Sequence, residues 1–456
     1  MAERTLSRAL FADFYELTMA QAYWQHDRRG TATFSLFFRS YSPDRAYAVF
    51  AGLESALAYV EELRFTSDDV DYLRSLDMFD ADFLSFLSGL RFTGDIRAMT
   101  EGDLAFADEP VIEVTGPIIE AQIVETAVMN AISTETLLAT KASRVVHAAA
   151  GRAVVDFAAR RTHGEEAADK LARVSYLAGC AGTSNVLAAA RHGIPPVGTM
   201  AHSFISSFPA EIDAFRAYAD SFPDATTLLV DTYDTLAGTR HAIEVAKELR
   251  AKGHALRALR LDSGDLLALS VECRRLLDEA GLQEVELFAT GGLDEFEIDA
   301  LVRSGAPIDG FGVGTKLGVS ADAPWMDWAY KLVEHAGAPV LKLSPGKETL
   351  AGPKQVYRVG AAEYEHDVIA LADEPPFEDA RPLLREVMRG GKRVEAAPSL
   401  ASLRERFAAE FARLPERHKA LRAPERYTVE HSLELDALQW RLTQWVAQHE
   451  LGGSAS

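Results

Sequence analysis

Cysteine is nearly absent from this chain of 456 residues, which contains only Cys180 and Cys273. Both lie in apolar or helical surroundings, which argues against a disulfide framework and favours buried thiols in a reducing cytoplasm. The sequence also lacks an HExxH motif and any Cys/His spacing typical of zinc sites. Its first residues lack the apolar core of a secretory signal, because acidic side chains arrive by Asp13 and Glu16. We therefore expect a cytoplasmic protein.

Long uncharged runs and excess positive charge are missing as well. Apolar stretches such as VVHAAAGRAVVDFAA are broken by Arg152 and Asp156, and none approaches the roughly 18 residues of a spanning helix. The chain has 47 Lys and Arg against 68 Asp and Glu, a formal net charge of −21. Such a charge repels nucleic acid and anionic membranes. An anionic substrate therefore requires a local pocket of cations.

Residues 152–315 alternate short apolar runs with longer amphipathic ones, a pattern typical of a parallel β/α sheet. Helical spacing follows VDTYD and LDSGD, with Gly253 and Gly281 as helix ends. The strand candidates are AVVDFAA, PPVGTMAHS, TTLLVDTY, ALRALRLDS, VELFATGG and IDGFGVGT.

The two ends of the chain have a different pattern. Residues 14–23 are predicted helical, TFSLFFRSY a strand, GLESALAYVEEL a helix and residues 94–116 further strands. After residue 330, WAYKLVEH, APVLKLS and KQVYRV are strand-like and precede a polar helical tail. We predict an N-terminal α+β part at 1–125, an α/β catalytic domain at 126–325, and a C-terminal segment, 326–456, that returns to the α+β domain.

Polar residues collect where the strand candidates end. In parallel β/α folds these ends meet on one face, where active sites are built. One such residue alone could simply cap a helix, but polar residues at six strand ends in series favour a catalytic site. The six groups, in chain order, are Arg160, Arg161 and His163; His202 and Ser203; Asp231 and Asp234; Arg260, Asp262 and Asp265; Thr290, Gly291 and Gly292; and Gly314, Thr315 and Lys316.

Two glycine-containing turns predict a phosphate ligand. TGG and GVGT each offer exposed backbone N–H groups before a possible helix. Neither a Walker motif nor a GxGxxG fingerprint is present. The carboxylates of LDSGD, Asp262 and Asp265, suit ribose hydroxyls or magnesium through water. The alternative for that segment is N-capping of the next helix, which Ser263 or Asp262 could perform.

In order along the chain, DFYELTMAQAY, FFR, GLESALAYVEELRF, FAARRTHG, GTSNVLAAARHGIPPVGTMAHSF, VDTYDT, LRLDSGDL, TGGLDE and GFGVGTKLG resemble the nicotinate phosphoribosyltransferases. That family joins nicotinate to 5-phosphoribosyl 1-pyrophosphate in the salvage route to NAD. The resemblance implies an irregular α/β barrel of parallel strands with a second, mixed α+β domain built from both chain ends. It also implies a homodimer.

The resemblance implies a role for each matching residue. Asp13 and Tyr15 would complete the partner subunit's site, although Tyr15 could instead be a core aromatic of an N-terminal helix. The implied catalytic residues are His202, Arg260 and Asp262. The implied nicotinate contacts are Asp13, Tyr15, Arg160, Ser184, Thr199 and Arg260. The implied contacts of phosphoribosyl pyrophosphate are Arg160, Arg161, Asp231, Asp262, Asp265, Gly291, Gly292, Gly314 and Thr315.

The histidine of GTMAHSF matches the family's residue that ATP phosphorylates. A free imidazole is largely neutral at pH 7 and can attack a phosphate; the alternative role for His202 is a general base. The resemblance implies Mg²⁺, held mainly through the substrate with Asp262 as a candidate ligand, and ATP as a co-substrate. Nicotinamide-using relatives resemble GTDT where this chain has Ser184, which favours nicotinate. A nicotinamide- or quinolinate-using enzyme of the same fold, or a non-catalytic metabolite-binding relative, remains the alternative.

Overall fold

The computed structural model describes residues 5–450, which divide into two compact units. The first unit combines the described residues up to Leu137 with those from Trp325 onward, and the second is Leu138–Pro324. Helix Glu125–Ala148 carries the chain from the first unit into the second. Within residues 5–450, no helix is both long enough and apolar enough to cross a membrane.

The strands and helices are numbered in chain order. The strands are β1 Thr31–Phe38, β2 Ala48–Val49, β3 Asp95–Ala98, β4 Leu104–Ala105, β5 Ile112–Pro117, β6 Ala153–Asp156, β7 Gly182–Thr183, β8 Thr227–Leu229, β9 Ala258–Leu261, β10 Glu286–Ala289, β11 Gly310–Val313, β12 Trp328–His335, β13 Ala338–Pro339, β14 Lys354–Val359, β15 His366–Leu371, β16 Ala380–Pro382, β17 Arg385–Arg389, β18 Lys392–Arg393 and β19 Val429–His431. The helices are α1 Phe14–Gln25, α2 Leu53–Glu62, α3 Ser67–Arg74, α4 Ala81–Gly89, α5 Ile118–Ile123, α6 Glu125–Ala148, α7 Glu165–Leu177, α8 Val186–His192, α9 His202–Ser206, α10 Glu211–Ser221, α11 Thr235–Ala251, α12 Leu266–Glu279, α13 Glu295–Arg303, α14 Thr315–Gly318, α15 Leu400–Arg413, α16 Glu416–Lys419 and α17 Leu433–His449. A short 3₁₀ helix, Arg8–Leu10, precedes α1.

The second unit is built on a curled parallel sheet of six strands, in the order β7-β6-β11-β10-β9-β8. Every neighbouring pair in that sheet is parallel. Helices connect the strands, as parallel pairing requires. This half-barrel, with mixed sheets in the other unit, confirms the predicted fold class.

One predicted strand is wrong. PPVGTMAHS forms only an isolated bridge between Pro196 and Thr183, and the segment then leaves the sheet for α9, which begins at His202. Pro195 and Pro196 lack backbone N–H donors, so the segment cannot extend a ladder. Its place beside β6 is taken by β7, a two-residue strand that the sequence patterns did not indicate.

The predicted helices of the second unit are confirmed. The stripe of Ala242, Val245, Ala246 and Leu249 lies on α11 and is buried. The stripe that begins at Leu266 lies on α12. Gly253 and Gly281 follow these helices with φ of 86° and 72°, a left-handed conformation that glycine adopts without strain.

The first unit contains a seven-stranded sheet, β13-β12-β1-β5-β3-β17-β18, a four-stranded sheet, β16-β14-β15-β19, and the pair β2-β4. The predicted helices α1 and α2 and the strands within residues 31–117 are confirmed. The expected polar helical tail is wrong in part, because strands β15 to β19 lie within it. Charged residues are buried in this sheet, as in the Arg358–Asp367 pair, and they hide the alternating apolar pattern of a strand.

A buried ion network joins three segments of the second unit. Lys141 and Arg144 of α6 both pair with Glu295 at the start of α13, and Lys141 also pairs with Asp322 at 2.8 Å. The side chains of Lys141, Arg144 and Glu295 are at most 1 % exposed. Removing one partner from such a network leaves an uncompensated buried charge.

We expect Glu295→Gln to lower the free energy of unfolding by about 3 kcal/mol, because two buried cations lose their shared carboxylate. Urea unfolding of the purified protein measures this change. Glu279→Gln is the matched control, since Glu279 pairs with Arg275 on the surface, where such a pair contributes under about 1 kcal/mol. Equal effects of the two substitutions would contradict the prediction.

Candidate active site

The carboxyl ends of the parallel strands meet along one edge of the second unit's sheet. Register fixes this alignment, since Asp156 pairs with both Thr183 and Val313, and Ala289 pairs with Leu261. The first polar or aromatic side chains beyond the ends of β6, β7, β8, β9, β10 and β11 are Phe157, Ser184, Asp231, Asp262, Thr290 and Thr315. This edge therefore brings together polar and aromatic side chains from six strand ends.

Arg260, on β9, holds this edge together. Its Nη1 donates to Thr199 Oγ1 at 3.0 Å and to the carbonyl oxygen of Met200 at 3.2 Å. Its Nε donates to Thr290 Oγ1 at 2.9 Å, and its Nη2 donates to Asp262 Oδ1 at 2.8 Å. Only 12 % of the Arg260 side chain is exposed. One guanidinium therefore fixes the segment before His202, the β9 end and the β10 end in a single arrangement.

Two carboxylates lie at the centre of the edge. Asp262 accepts from Arg260 and from the Thr290 hydroxyl. Burial opposes its ionisation, but these hydrogen bonds and the charge of Arg260 hold the pKa of Asp262 below its ordinary value. Asp231 Oδ2 accepts from the Asp262 backbone N–H at 2.9 Å and from Ser263 Oγ at 2.5 Å. Its Oδ1 is buried without a hydrogen-bond partner among the described residues.

His202 is the first residue of α9 and lies beside these carboxylates. Its Nδ1 is 3.1 Å from Thr232 Oγ1, and its Nε2 is 3.6 Å from Asp262 Oδ2. The side chain is 45 % exposed. The ring therefore has a hydrogen-bond partner at Nδ1, faces a carboxylate at Nε2 and remains partly open to solvent.

The TGG turn passes directly against the β9 end. Gly291 and Gly292 have φ of 94° and 70°. A Cβ on Gly291 would lie 1.9 Å from the carbonyl oxygen of Asp262. Only glycine fits at Gly291, so this turn packs its bare backbone against the backbone of Asp262.

The GVGT turn is tied to the TGG turn by a lysine. Gly314 precedes the short helix α14, and Thr315 is exposed at its start. Lys316 Nζ donates to Asp294 Oδ2 at 2.9 Å and to Glu297 Oε1 at 2.8 Å, and Asp294 in turn caps α13. The two turns predicted to bind phosphate are thus held in fixed relation.

Asp156, at the end of β6, anchors the β7 side of the edge. Its carboxylate accepts from the Ala158 N–H at 2.8 Å and from Thr183 Oγ1 at 2.7 Å, and its carbonyl accepts from the Ser184 N–H at 2.8 Å. Burial raises the pKa of Asp156, against the effect of these hydrogen bonds. The backbone at Ser184 is fixed, and its side chain is exposed.

Arg160, Arg161 and Asp265 stand outside the hydrogen-bonded cluster. Arg160 and Arg161 are exposed, and no side chain within residues 5–450 pairs with either guanidinium. Asp265 caps α12 by accepting from the Ala268 N–H at 3.0 Å. Helix capping therefore occupies Asp265, rather than the Ser263 or Asp262 suggested by the sequence.

Asp13 and Tyr15 lie in the first unit, at the start of α1, and both are exposed. Asp13 Oδ2 accepts from Thr126 Oγ1 at 3.2 Å. Burial raises the pKa of Tyr15, and the nearby Glu125 carboxylate adds to the shift. The next residue, Glu16, is buried and accepts from the Thr126 N–H and hydroxyl.

Burial raises the pKa of Glu16 from 4.5 to about 8. Between these values the folded protein keeps a proton that the unfolded chain releases, so stability falls as pH rises through this window. We expect the free energy of unfolding to decrease between about pH 5 and pH 8, and Glu16→Gln to flatten that decrease. Urea unfolding at several pH values measures it. Glu62→Gln, at an exposed position of α2, is the control and should leave the pH dependence of the unfolding free energy as in the wild type. The same pH dependence in Glu16→Gln as in the wild type would contradict the prediction.

Comparison with known proteins matches nearly the whole chain to one family. Residues 10–133 match the nicotinate phosphoribosyltransferase N-terminal domain, residues 152–344 the nicotinate phosphoribosyltransferase family, and residues 353–439 its C-terminal domain. Nicotinate phosphoribosyltransferase pncB2 of Mycobacterium tuberculosis is 50% identical over 425 residues, which cover 92% of this chain and 90% of the relative. The chain belongs to the nicotinate phosphoribosyltransferase family.

Other members of the nicotinate phosphoribosyltransferase family support the assignment. The Bacillus subtilis enzyme is 41% identical over 81% of this chain and 77% of its own. The crystal structure of human nicotinic acid phosphoribosyltransferase superposes with a TM-score of 0.85 at 29% identity, covering 96% of this chain and 100% of the other. This match agrees with the half-barrel and mixed sheets described above.

Sequence reasoning missed two side chains at the edge, Phe157 and Thr232, and gave a third, Thr290, no role of its own. Thr290 was predicted among the polar residues at strand ends, and in the structure it bonds both Arg260 and Asp262. Phe157 is half-buried, with the Arg260 guanidinium 5.8 Å from its ring centroid. Thr232 contacts His202. Their position directly after or near strand ends was the available signal, but motif matching favoured charged residues and histidine.

Proposed function

We propose that this protein transfers the phosphoribosyl group of 5-phosphoribosyl 1-pyrophosphate to nicotinate, in a reaction coupled to ATP. The products are nicotinate mononucleotide and pyrophosphate, in NAD salvage in the cytoplasm. The observation that carries the proposal is the Arg260 fork, which gathers Thr199, Thr290 and Asp262 beside His202. Family membership supplies the reaction class.

The reaction joins the pyridine nitrogen to the anomeric carbon of the sugar, while the bond from that carbon to pyrophosphate breaks. Positive charge then develops on the sugar and negative charge on the leaving group. Arg160 and Arg161 are cations without described partners, so they are available to the pyrophosphate. Asp262 and Asp231 suit the ribose hydroxyls. The backbone at Gly291, Gly292, Gly314 and Thr315 would receive the 5′-phosphate.

The residues present fit a magnesium ion held through substrate and water. Asp231 Oδ1 is buried without a described partner, and Asp262 is a carboxylate, so hard oxygen ligands are available. No group of three or more His, Cys, Asp or Glu side chains in the described part of the chain is arranged as a metal cage. When bound, Mg²⁺ would neutralise charge on the pyrophosphate. Asp265, which caps α12, would contact the phosphoribosyl pyrophosphate from the rim of the site.

Nicotinate binding is proposed along the β6, β7 and β9 ends. Arg260 and Arg160 offer guanidinium groups to the carboxylate, and Phe157 offers an aromatic face to the pyridine. The exposed Ser184 hydroxyl can donate to that carboxylate. Thr199, held by Arg260, lines the same side.

A homodimer is proposed to complete the site. Phe11, Phe14 and Tyr15 expose between 44% and 47% of their surface at the start of α1. Such an aromatic cluster on a surface favours an interface. Asp13 and Tyr15 of one subunit would then reach the nicotinate in the partner's barrel, with Tyr15 stacking on the ring.

His202 is proposed to accept the γ-phosphate of ATP. Phosphate on this ring would place negative charge and acceptor oxygens next to Asp262, changing the affinity for substrate and product. The test incubates the full chain with Mg²⁺, γ-labelled ATP and both substrates, and locates the label by peptide mapping. We expect label on His202 in the wild type and none in His202→Gln. Turnover to nicotinate mononucleotide with an unlabelled His202 would contradict the coupling.

A further inference from the structure

Thr290 follows strand β10 and lies between the two charged groups at the centre of the sheet edge. Its Oγ1 is 2.9 Å from Arg260 Nε and contacts Asp262 Oδ1. Only 2 % of the residue is exposed. A guanidinium only donates and a carboxylate only accepts, so this hydroxyl accepts from Arg260 and donates its one proton to Asp262. The hydroxyl thus links the two charges, and the mechanism proposed above gives it no role of its own.

The neighbours of Thr290 fix the direction of its side chain. Its backbone N–H donates to the Leu261 carbonyl oxygen at 2.8 Å, which continues the pairing of β9 with β10 by one residue. Its methyl group packs over Gly312 of β11, where an added Cβ would lie 2.6 Å from Thr290 Cγ2. A β-branched side chain has few accessible rotamers. With the methyl placed over Gly312, the hydroxyl is directed at Arg260 and Asp262.

The two oxygens of the Asp262 carboxylate have different surroundings. Oδ1 accepts from Thr290 and from Arg260 Nη2, the latter at 2.8 Å. Among the residues that the structure describes, no hydrogen bond reaches Oδ2, which lies 3.6 Å from His202 Nε2. The Asp262 side chain is 28 % exposed. Because both donors act on Oδ1, Oδ2 is free to accept a hydrogen bond from a ligand.

Arg260 alone does not fix the plane of this carboxylate. The torsion that turns a carboxylate about its Cβ–Cγ bond has a broad energy profile, so one hydrogen bond to Oδ1 leaves Oδ2 free to swing. The Thr290 hydroxyl supplies a second donor to the same oxygen from β10, whereas Arg260 acts from β9. Two donors from different strands hold the carboxylate in one orientation before a ligand arrives.

We infer that Thr290 is a positioning residue: with Arg260 it holds Oδ1 of Asp262 and so presents Oδ2 to a ribose hydroxyl of 5-phosphoribosyl 1-pyrophosphate. The inference rests on the proposed function. The ribose hydroxyl donates to Oδ2, and no covalent bond changes in this contact. Removal of the Thr290 hydroxyl should therefore weaken the binding of this substrate, although Thr290 itself does not touch it.

The test measures the dissociation constant of 5-phosphoribosyl 1-pyrophosphate, in the presence of Mg²⁺, by titration calorimetry of the full-length protein. Thr290→Val replaces the hydroxyl with a methyl of similar shape, and Thr290→Ser keeps the hydroxyl. We expect T290V to bind about tenfold more weakly than the wild type, the scale of one lost hydrogen bond to a charged group. We expect T290S to stay within about twofold of the wild type, since its hydroxyl still reaches Asp262.

Thr226→Val is the matched control for the loss of a buried threonine hydroxyl. Thr226 is fully buried, but it precedes β8, at the opposite end of that strand from Asp231, and its hydroxyl donates to the Phe222 carbonyl oxygen at 2.6 Å. Its substitution should leave the affinity for the substrate at the wild-type value. Urea unfolding shows which variants are folded. If T290V is not, Thr290→Ala, which also lacks the hydroxyl, takes its place with the same expectation.

A double-mutant cycle with Asp262→Ala separates positioning from a general structural role. We expect T290V to weaken binding about tenfold when Asp262 is present and less than about twofold when residue 262 is alanine, because the hydroxyl then has no carboxylate to hold. A side chain that only supported the fold would cost the same in both backgrounds.

Three results would overturn the inference while leaving the proposed function in place. They are a folded T290V with wild-type affinity, a folded T290S weakened as much as T290V, and an equal loss from T290V with and without Asp262. A wild type that does not bind 5-phosphoribosyl 1-pyrophosphate with Mg²⁺ contradicts the proposed function itself, and the role of Thr290 falls with it.

Discussion

Arg260→Lys lowers kcat/KM for nicotinate mononucleotide synthesis by about 1000-fold, on the scale of losing a group that stabilises transition-state charge. The guanidinium makes hydrogen bonds to four residues from one planar group: Thr199, Met200, Thr290 and Asp262. Lysine has a point charge and cannot reproduce that fork. The substitution therefore loosens the segment before His202 and the ends of β9 and β10, and it removes the guanidinium partner of Asp262. Steady-state kinetics with both substrates measures the loss.

Arg257→Lys is the matched control for this prediction. Arg257 lies just before β9, three positions before Arg260, and its side chain is exposed. Its substitution should leave kcat/KM near the wild-type value. An Arg260→Lys enzyme with more than about a tenth of wild-type activity would show that the fork is not required.

Ser184→Asp is expected to reverse the preference between nicotinate and nicotinamide. A carboxylate about 4 Å from the substrate's carboxylate is repelled by about 4 kcal/mol at the effective dielectric of a protein surface. That energy corresponds to roughly a 1000-fold loss in kcat/KM for nicotinate. Nicotinamide carries no such charge, and its amide can donate to the new carboxylate. Kinetics with each substrate gives the ratio.

Ser221→Asp adds the same charge at the exposed end of α10 and serves as the control. It should leave the preference unchanged, because the added charge is solvated and lies on the chain before β8, whereas Ser184 follows the end of β7. Unchanged discrimination in Ser184→Asp would mean that Ser184 does not face the substrate's carboxylate.

The fold of the second unit could be predicted because its signals are local. The stripes on α11 and α12 are set by helical spacing, and short strand segments such as VELFA lie between helices. The PPVGTMAHS strand was wrong because apolar content outweighed Pro195 and Pro196 in the interpretation. Strand β7 has two residues, too few for any periodic pattern.

The candidate site was predictable in composition but not in connectivity. Predicted strand ends indicated Arg260, Asp262 and His202; in the structure Arg260 lies on β9 and His202 begins α9, and both lie beside Asp262. The bonds from Arg260 to Thr290 and from His202 to Thr232 span 30 residues in each case, and no spacing rule links such pairs. The hydrogen bond by which Asp265 caps α12 could not be predicted either, because capping geometry depends on where the helix begins; its contact with substrate stays a prediction.

The most direct test of the account is a comparison of two pyridine substrates under identical conditions. The purified full chain receives 5-phosphoribosyl 1-pyrophosphate, Mg²⁺ and ATP with either nicotinate or nicotinamide, and the mononucleotide formed is quantified by chromatography. We predict nicotinate mononucleotide from nicotinate and little product from nicotinamide. Equal or better use of nicotinamide, or no product from nicotinate, would contradict it.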